Sequence, residues 1–237
     1  MLPTNPIPLY IDLAAAEVRG IRVLNVPGYG DRTIAEHTIA LMFASIRQLA
    51  RMDRQMRAGG WYPRLGGFEL EGKTLGIIGL GGIGRTVAGI AKGLGMRVLA
   101  WNRGGVPASL GIEAASSLDE VVAQAHVLSL HIAETPETVG LLDRRRLALM
   151  RPGAVLINTA RAALIEHEAL VDCLREGRVA HAGLDVYPTE PLAPDDPLLH
   201  LDNVTLTPHT AWISPEASRR LLRRGVETLR QALADRR

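Results

Sequence analysis

At 237 residues, 47% of them hydrophobic, the chain is long and apolar enough to bury a substantial core, which excludes a disordered protein. A net charge of +2, carried by dispersed arginines with Lys73 and Lys92 the only lysines, argues against a nucleic-acid surface, and no apolar run is long enough to span a bilayer. One cysteine, Cys173, leaves no internal disulfide and points to a reducing, cytoplasmic setting; residues 1–16, interrupted by Pro3, Pro6, Pro8 and Asp12, do not read as a signal peptide.

Residues 12–19 read as a short helix, followed by a strand over 21–26 that Pro27-Gly28-Tyr29-Gly30 closes. Thr33 is placed as a helix cap, with Glu36 completing a capping box. Ile34, Leu41, Ile46, Leu49 and Met56 then recur at helical intervals, which predicts one helix through Arg57, stopped by Gly59-Gly60. From there strands and helices alternate. The strands are 74–78, 97–101, 127–131, 154–158, 180–186 and 203–207; the helices are 82–94, 141–150, 166–176 and 215–233, the last capped by Ser214. Apolar strands alternating with amphipathic helices predict an α/β fold, a doubly wound parallel sheet covered on both faces.

Gly79-Leu80-Gly81-Gly82-Ile83-Gly84 fits G-x-G-x-x-G. The pattern alone is weak, but here it follows an apolar strand and opens a helix, the setting in which it binds a dinucleotide. Gly79 serves the tight turn, Gly81 lets the backbone approach a pyrophosphate, and Gly84 lets helix and strand pack closely, with the pyrophosphate at the helix N-terminus. An NAD site usually ends its second strand with an acidic residue. This sequence has Trp101-Asn102-Arg103 there, which removes a charge that would repel a 2′-phosphate and adds a guanidinium that would pair with it. NADP is therefore favoured over NAD. No metal site is expected.

Four later segments complete a pattern: Asn158-Thr159-Ala160-Arg161, Gly183-Leu184-Asp185-Val186, Glu190-Pro191-Leu192 and Thr207-Pro208-His209-Thr210-Ala211. Singly, Arg161, Glu190 and His209 read as ordinary loop residues. In this order behind the glycine loop, the segments closely resemble the D-isomer-specific 2-hydroxyacid dehydrogenases, and the stretch around His209 looks most like the glycerate dehydrogenases (hydroxypyruvate or glyoxylate reductases). The resemblance implies a role for each position. Arg161 would grip the carboxylate and keto oxygen of a small 2-keto acid, His209 would protonate that oxygen, and Glu190 would hydrogen-bond His209 and favour its imidazolium form. Asp185 would hold the nicotinamide carboxamide, Thr159 and Ala160 would border the nicotinamide, and His131 would line the cofactor cleft. His37, Trp61 and Trp212 receive no chemistry. The helix over 33–57 resembles the arm through which such enzymes form homodimers.

Two departures from the family stand out. Ala162 replaces a glycine that commonly follows the arginine, and would strain the turn if that position needs a positive φ. The N-terminal substrate domain of full-length relatives is matched only at its end. The expected division is therefore a remnant of a flavodoxin-like substrate domain over 1–27, a dinucleotide-binding domain with its dimerisation helix over 28–208, and a C-terminal segment returning to the substrate domain over 209–237. That shortening would leave apolar surface on the closing helix. It also keeps two other readings open: an inactive dinucleotide-binding module, and a dinucleotide-sensing protein like the C-terminal-binding co-repressors.

Overall fold

The computed structural model of the chain describes residues 11–61 and 66–234; the Pro-rich stretch 1–9, with Tyr10, lies outside the described residues. Seven strands form one sheet: β1 (Thr74–Ile78), β2 (Arg97–Trp101), β3 (Glu113–Ala114), β4 (Val127–Leu130), β5 (Val155–Asn158), β6 (His181–Leu184) and β7 (Val204–Leu206). Their order is β3-β2-β1-β4-β5-β6-β7 and every pair is parallel. The winding reverses between β1 and β4, which opens a crevice beyond the C-terminal ends of those two strands.

Side chains alternate along the central strands and both sides are buried. Leu75, Ile77, Val127, Val155 and Ile157 enter one apolar cluster, while Ile78, Leu128, Leu130 and Leu156 enter the other. The first cluster lies beneath α2 (Asp31–Ile46) and α4 (Gly82–Gly93). The second lies beneath α5 (Leu118–Gln124), α6 (Arg144–Leu149) and α7 (His167–Arg175). Truncating a central residue such as Ile77, fully buried, would cost about 2–5 kcal/mol.

Several expectations need correction. The helix expected through Arg57 is two helices, α2 and α3 (Leu49–Arg57), broken at Gln48, whose φ is 52°. The cause is a crossing chain: the backbone at Gly67 abuts the Ile46 carbonyl so closely that a Cβ there would overlap it, and Gln48 Nε2 donates to the Gly66 carbonyl at 3.1 Å. Thr33 does not cap α2; Gly30 does, and the Thr33 hydroxyl instead meets Ser214 Oγ at 3.0 Å while Glu36 pairs with Arg32. The stretch 21–26 is not a strand. It runs outside the sheet beside the closing helix α8 (Pro215–Ala234), where Arg22 donates to the Ala232 carbonyl, so it has no neighbouring strand to form a ladder with. The helix expected over 141–150 is shortened to α6 because Asp143 caps it, accepting from the Arg146 amide at 2.8 Å. Strand β3 and helix α5 come in addition to the expected elements.

The short helix expected over 12–19 and the expected Ser214 cap are both present. Asp12 caps α1 (Leu13–Val18), and Ser214 caps α8 by accepting from the Ala217 amide at 3.0 Å. Leu222, Val226, Leu229 and Leu233 of α8 are exposed. Among the described residues no helix is long and apolar enough to cross a membrane.

Candidate active site

The glycine loop leaves the C-terminal end of β1 at the crevice. Gly79 has φ 98° and a Cβ there would overlap the His131 carbonyl; a Cβ on Gly84 would overlap the Gly79 carbonyl. Only glycine satisfies either position. Gly81, by contrast, has open space where its Cβ would stand, so an anion can approach the first amides of α4. These residues fit a pyrophosphate. The loop is tied to the end of β2: Asn102 Oδ1 accepts from the Leu80 amide at 3.2 Å, and Asn102 Nδ2 donates to the Gly105 carbonyl at 3.0 Å. Arg103 is exposed beside this turn, close enough to Glu137 that its charge helps hold that carboxyl down, after the hydrogen bond from Thr135.

A cleft of about 510 Å³ runs from this loop toward the end of β5, lined in part by Asp31, Ile83, His131, Thr159 and Arg161. Burial pushes the His131 imidazole down to about 4, so it is neutral at physiological pH, and its Nε2 meets Ser129 Oγ at 2.9 Å. The turn after β5 is set by Asn158, fully buried, whose amide donates to the Arg161 carbonyl at 2.8 Å and accepts from the Ala160 amide at 3.0 Å. The Thr159 hydroxyl meets that of Thr38 in α2 at 2.8 Å. Ala162 begins a 3₁₀ turn and keeps a negative φ, so the turn carries none of the strain its missing glycine suggested.

Arg161 also borders a second cavity of about 830 Å³, shared with Glu190, His209, Tyr187 and His167. His209 Nδ1 lies 2.6 Å from Glu190 Oε2, and Glu190 Oε1 accepts from the Tyr187 amide at 3.1 Å. Burial raises the Glu190 carboxyl, but the hydrogen bonds from His209 and Tyr187, with the nearby His209 and Arg161 charges, outweigh it and hold it below the ordinary carboxylate range. Arg161, Glu190 and His209 thus meet in one cavity, from the turns following β5, β6 and β7.

Asp185 is fully buried and its oxygens face the chain itself. Oδ1 accepts from Thr207 Oγ1 at 2.5 Å and from the Thr210 amide at 2.9 Å; Oδ2 accepts from the Ala211 amide at 2.9 Å. His37 joins this group, with Nε2 3.0 Å from Thr207 Oγ1 and 3.6 Å from Asp185 Oδ1. Sequence reasoning missed His37, Thr38 and Asn158 as supports of the site. Their partners lie on other elements, so no local pattern marked His37 or Thr38; Asn158 was visible only as part of a motif.

Over residues 39–211 the chain matches the D-isomer specific 2-hydroxyacid dehydrogenase, NAD binding domain. The chain belongs to that family. The matched stretch starts within α2 and ends just past His209, so it holds the glycine loop and all three residues of the second cavity. Among curated dehydrogenases and reductases, a D-3-phosphoglycerate dehydrogenase of Mycobacterium leprae is 41% identical over 228 residues, 94% of this chain and 43% of that one. A glyoxylate reductase of Korarchaeum cryptofilum is 40% identical over 227 residues, 92% of this chain and 68% of that one. A solved acyclic imino acid reductase in complex with NADPH and D-Arg superposes with a TM-score of 0.87 at 37% identity, covering 95% of this chain and 73% of that one. The chain therefore spans less than half the length of its phosphoglycerate dehydrogenase relative and about two thirds of the glyoxylate reductase.

Proposed function

We propose that the chain carries the cofactor site and the acid–base residues of an NAD(P)-dependent reductase of a short 2-keto acid, with hydroxypyruvate or glyoxylate favoured. The observation that carries this reading is the meeting of Arg161, Glu190 and His209 in one cavity, with the His209–Glu190 contact at 2.6 Å. Arg161 presents a planar fork suited to a carboxylate and to polarising the adjacent keto oxygen. Glu190 occupies His209 Nδ1, which leaves Nε2 as the atom that gives its proton to the developing alkoxide. Glu190 then faces an imidazole whose orientation is fixed throughout the transfer. The nicotinamide, when bound, supplies the hydride that the keto carbon receives.

The cofactor would lie along Gly79, Gly81, Gly82, Ile83 and Gly84, with Asn102 and Arg103 toward the adenine ribose. His131, Thr159 and Ala160 would border the nicotinamide end, and Asp185, fully buried with its oxygens taken by Thr207, Thr210 and Ala211, would support that end from behind rather than touch the ring. NADP is favoured, because no acidic side chain ends β2 and Arg103 is exposed there. The NADPH of the imino acid reductase relative is in keeping with that choice. We further propose a cytoplasmic homodimer joined through α2 and α3; Phe43, Leu49 and Met56 leave apolar area exposed on those helices, and light scattering at micromolar concentration tests it, a monomer counting against it.

The decisive experiment follows NADPH and NADH oxidation by this chain with hydroxypyruvate or glyoxylate, with His209→Ala as control. Turnover that disappears in the control supports the reading. Cofactor binding without turnover supports a second one, a dinucleotide-binding module that needs further chain for catalysis, favoured by the exposed apolar stripe of α8.

A further inference from the structure

Asp31 is the first residue of α2, where a carboxylate is favoured by the positive end of its own helix. Its side chain does not turn back over α2. It reaches the first residue of α4: a Cβ on Gly82 would overlap Asp31 Oδ2, and Oδ1 stands 3.3 Å from the same point. One carboxylate therefore lies against the first residues of two helices, its own α2 and the neighbouring α4. This also explains a glycine that the fingerprint does not require. In G-x-G-x-x-G, Gly82 occupies a free position, and here Asp31 fills the space any side chain would need.

Asp31 and Ile83 line the same cleft, and on the dinucleotide reading, on which the inference rests, the pyrophosphate comes to the start of α4. Two anions at that place repel each other. The structure also holds a destination for the carboxylate. The point where a Cβ on Gly28 would stand is 3.4 Å from Asp31 Oδ2 and 3.0 Å from Nη1 of Arg224 in α8. Arg224 is fixed there by donating to the Pro27 carbonyl at 2.7 Å.

We propose that Asp31 is a built-in competitor for the dinucleotide pyrophosphate: it holds the anion position at the start of α4 in the free chain, and yields it on binding by turning to Arg224. Asp31 thereby sets dinucleotide affinity. The exchange replaces one anion by another at Gly82 and draws α2 and α8 together through a new ion pair.

The test measures dissociation constants of NADPH, ADP and adenosine for the whole chain by calorimetry. Asp31→Asn and Asp31→Ala are expected to bind NADPH and ADP about fivefold more tightly, the scale of one charge at a helix end, with adenosine unchanged because it carries no phosphate. Asp31→Glu, which keeps the charge, gains nothing. Arg224→Met weakens ADP binding in the wild-type background and has no effect beside Asp31→Asn. Unchanged or weaker ADP binding in both neutral variants, with wild-type thermal stability retained, would overturn the proposal, since a helix-capping or cofactor-gripping Asp31 can only lose affinity when neutralised. Tighter adenosine binding would overturn it too. If neither the wild type nor any variant binds NADPH or ADP, the dinucleotide reading itself falls, and this one with it.

Discussion

Asp185 accepts the amide hydrogen of Ala211 at 2.9 Å, and its other oxygen takes the Thr210 amide and the Thr207 hydroxyl. Between those partners stands His209, with φ 52°, a conformation that costs a non-glycine residue about 1–3 kcal/mol. The buried carboxylate is what holds the loop in that shape. Asp185→Asn keeps the size but turns one acceptor into a donor that faces N–H groups. It is expected to lower stability in urea by about 1–3 kcal/mol, the cost of a buried amide left without a partner. An unchanged midpoint would mean that the loop holds itself.

The His209–Glu190 pair should be the acid of the reaction. His209→Ala is expected to slow keto-acid reduction by about 10²–10⁴-fold with little change in dinucleotide affinity. Glu190→Gln keeps a hydrogen-bond acceptor but removes the charge, and is expected to fall between that variant and the wild type. Stopped-flow absorbance with saturating cofactor checks both; a Glu190→Gln enzyme at full speed would remove Glu190 from the mechanism.

Arg103 is exposed, so its replacement leaves the fold intact. Arg103→Ala is expected to weaken NADPH about tenfold or more and NADH far less, the difference being one charge-assisted contact to the 2′-phosphate. Equal losses in paired titrations would show that the side chain does not read that group.

His131 and His181 are both pushed by burial to about 4, from 6.5. A histidine depressed in the native state stays neutral there while the unfolded chain takes up its proton. Its contribution is complete above about 6.5 and is lost as the pH falls through that value toward 4. The urea midpoint should therefore begin to fall below about pH 6.5, before ordinary carboxylates titrate. His181→Gln should flatten that slope. A midpoint level down to about pH 5 would contradict the assignment.

Much of the fold was legible because strands buried on both faces read as apolar runs and the glycine loop fixed the first crossover. What misled was capping chemistry. Thr33 and Glu36 have the spacing of a capping box, yet Thr33 meets Ser214, 181 residues away. The spacing that did mark a helix start was Ser117 with Glu120: Ser117 Oγ accepts from the Glu120 amide, and Glu120 reaches back one residue beyond the cap to the Ser116 amide at 2.7 Å. That signal would have located α5. The break at Gln48 depended on a chain crossing from residue 67, and the supports at His37 and Thr38 depended on partners more than a hundred residues distant. Motif order named the polar residues at the sheet edge; it said nothing of what holds them there.

The amide of Asn102 has a consequence for anyone seeking to exchange the cofactor. It grips the glycine loop through Leu80 with one atom and the following turn through Gly105 with the other. Asn102→Asp, the obvious route to NAD, would set a carboxylate oxygen against the Gly105 carbonyl. On the proposed NADP reading, cofactor choice and loop architecture would be coupled at residue 102 and separable at residue 103, so a redesign should begin at Arg103 and rebuild the 102–105 turn before it introduces an acid.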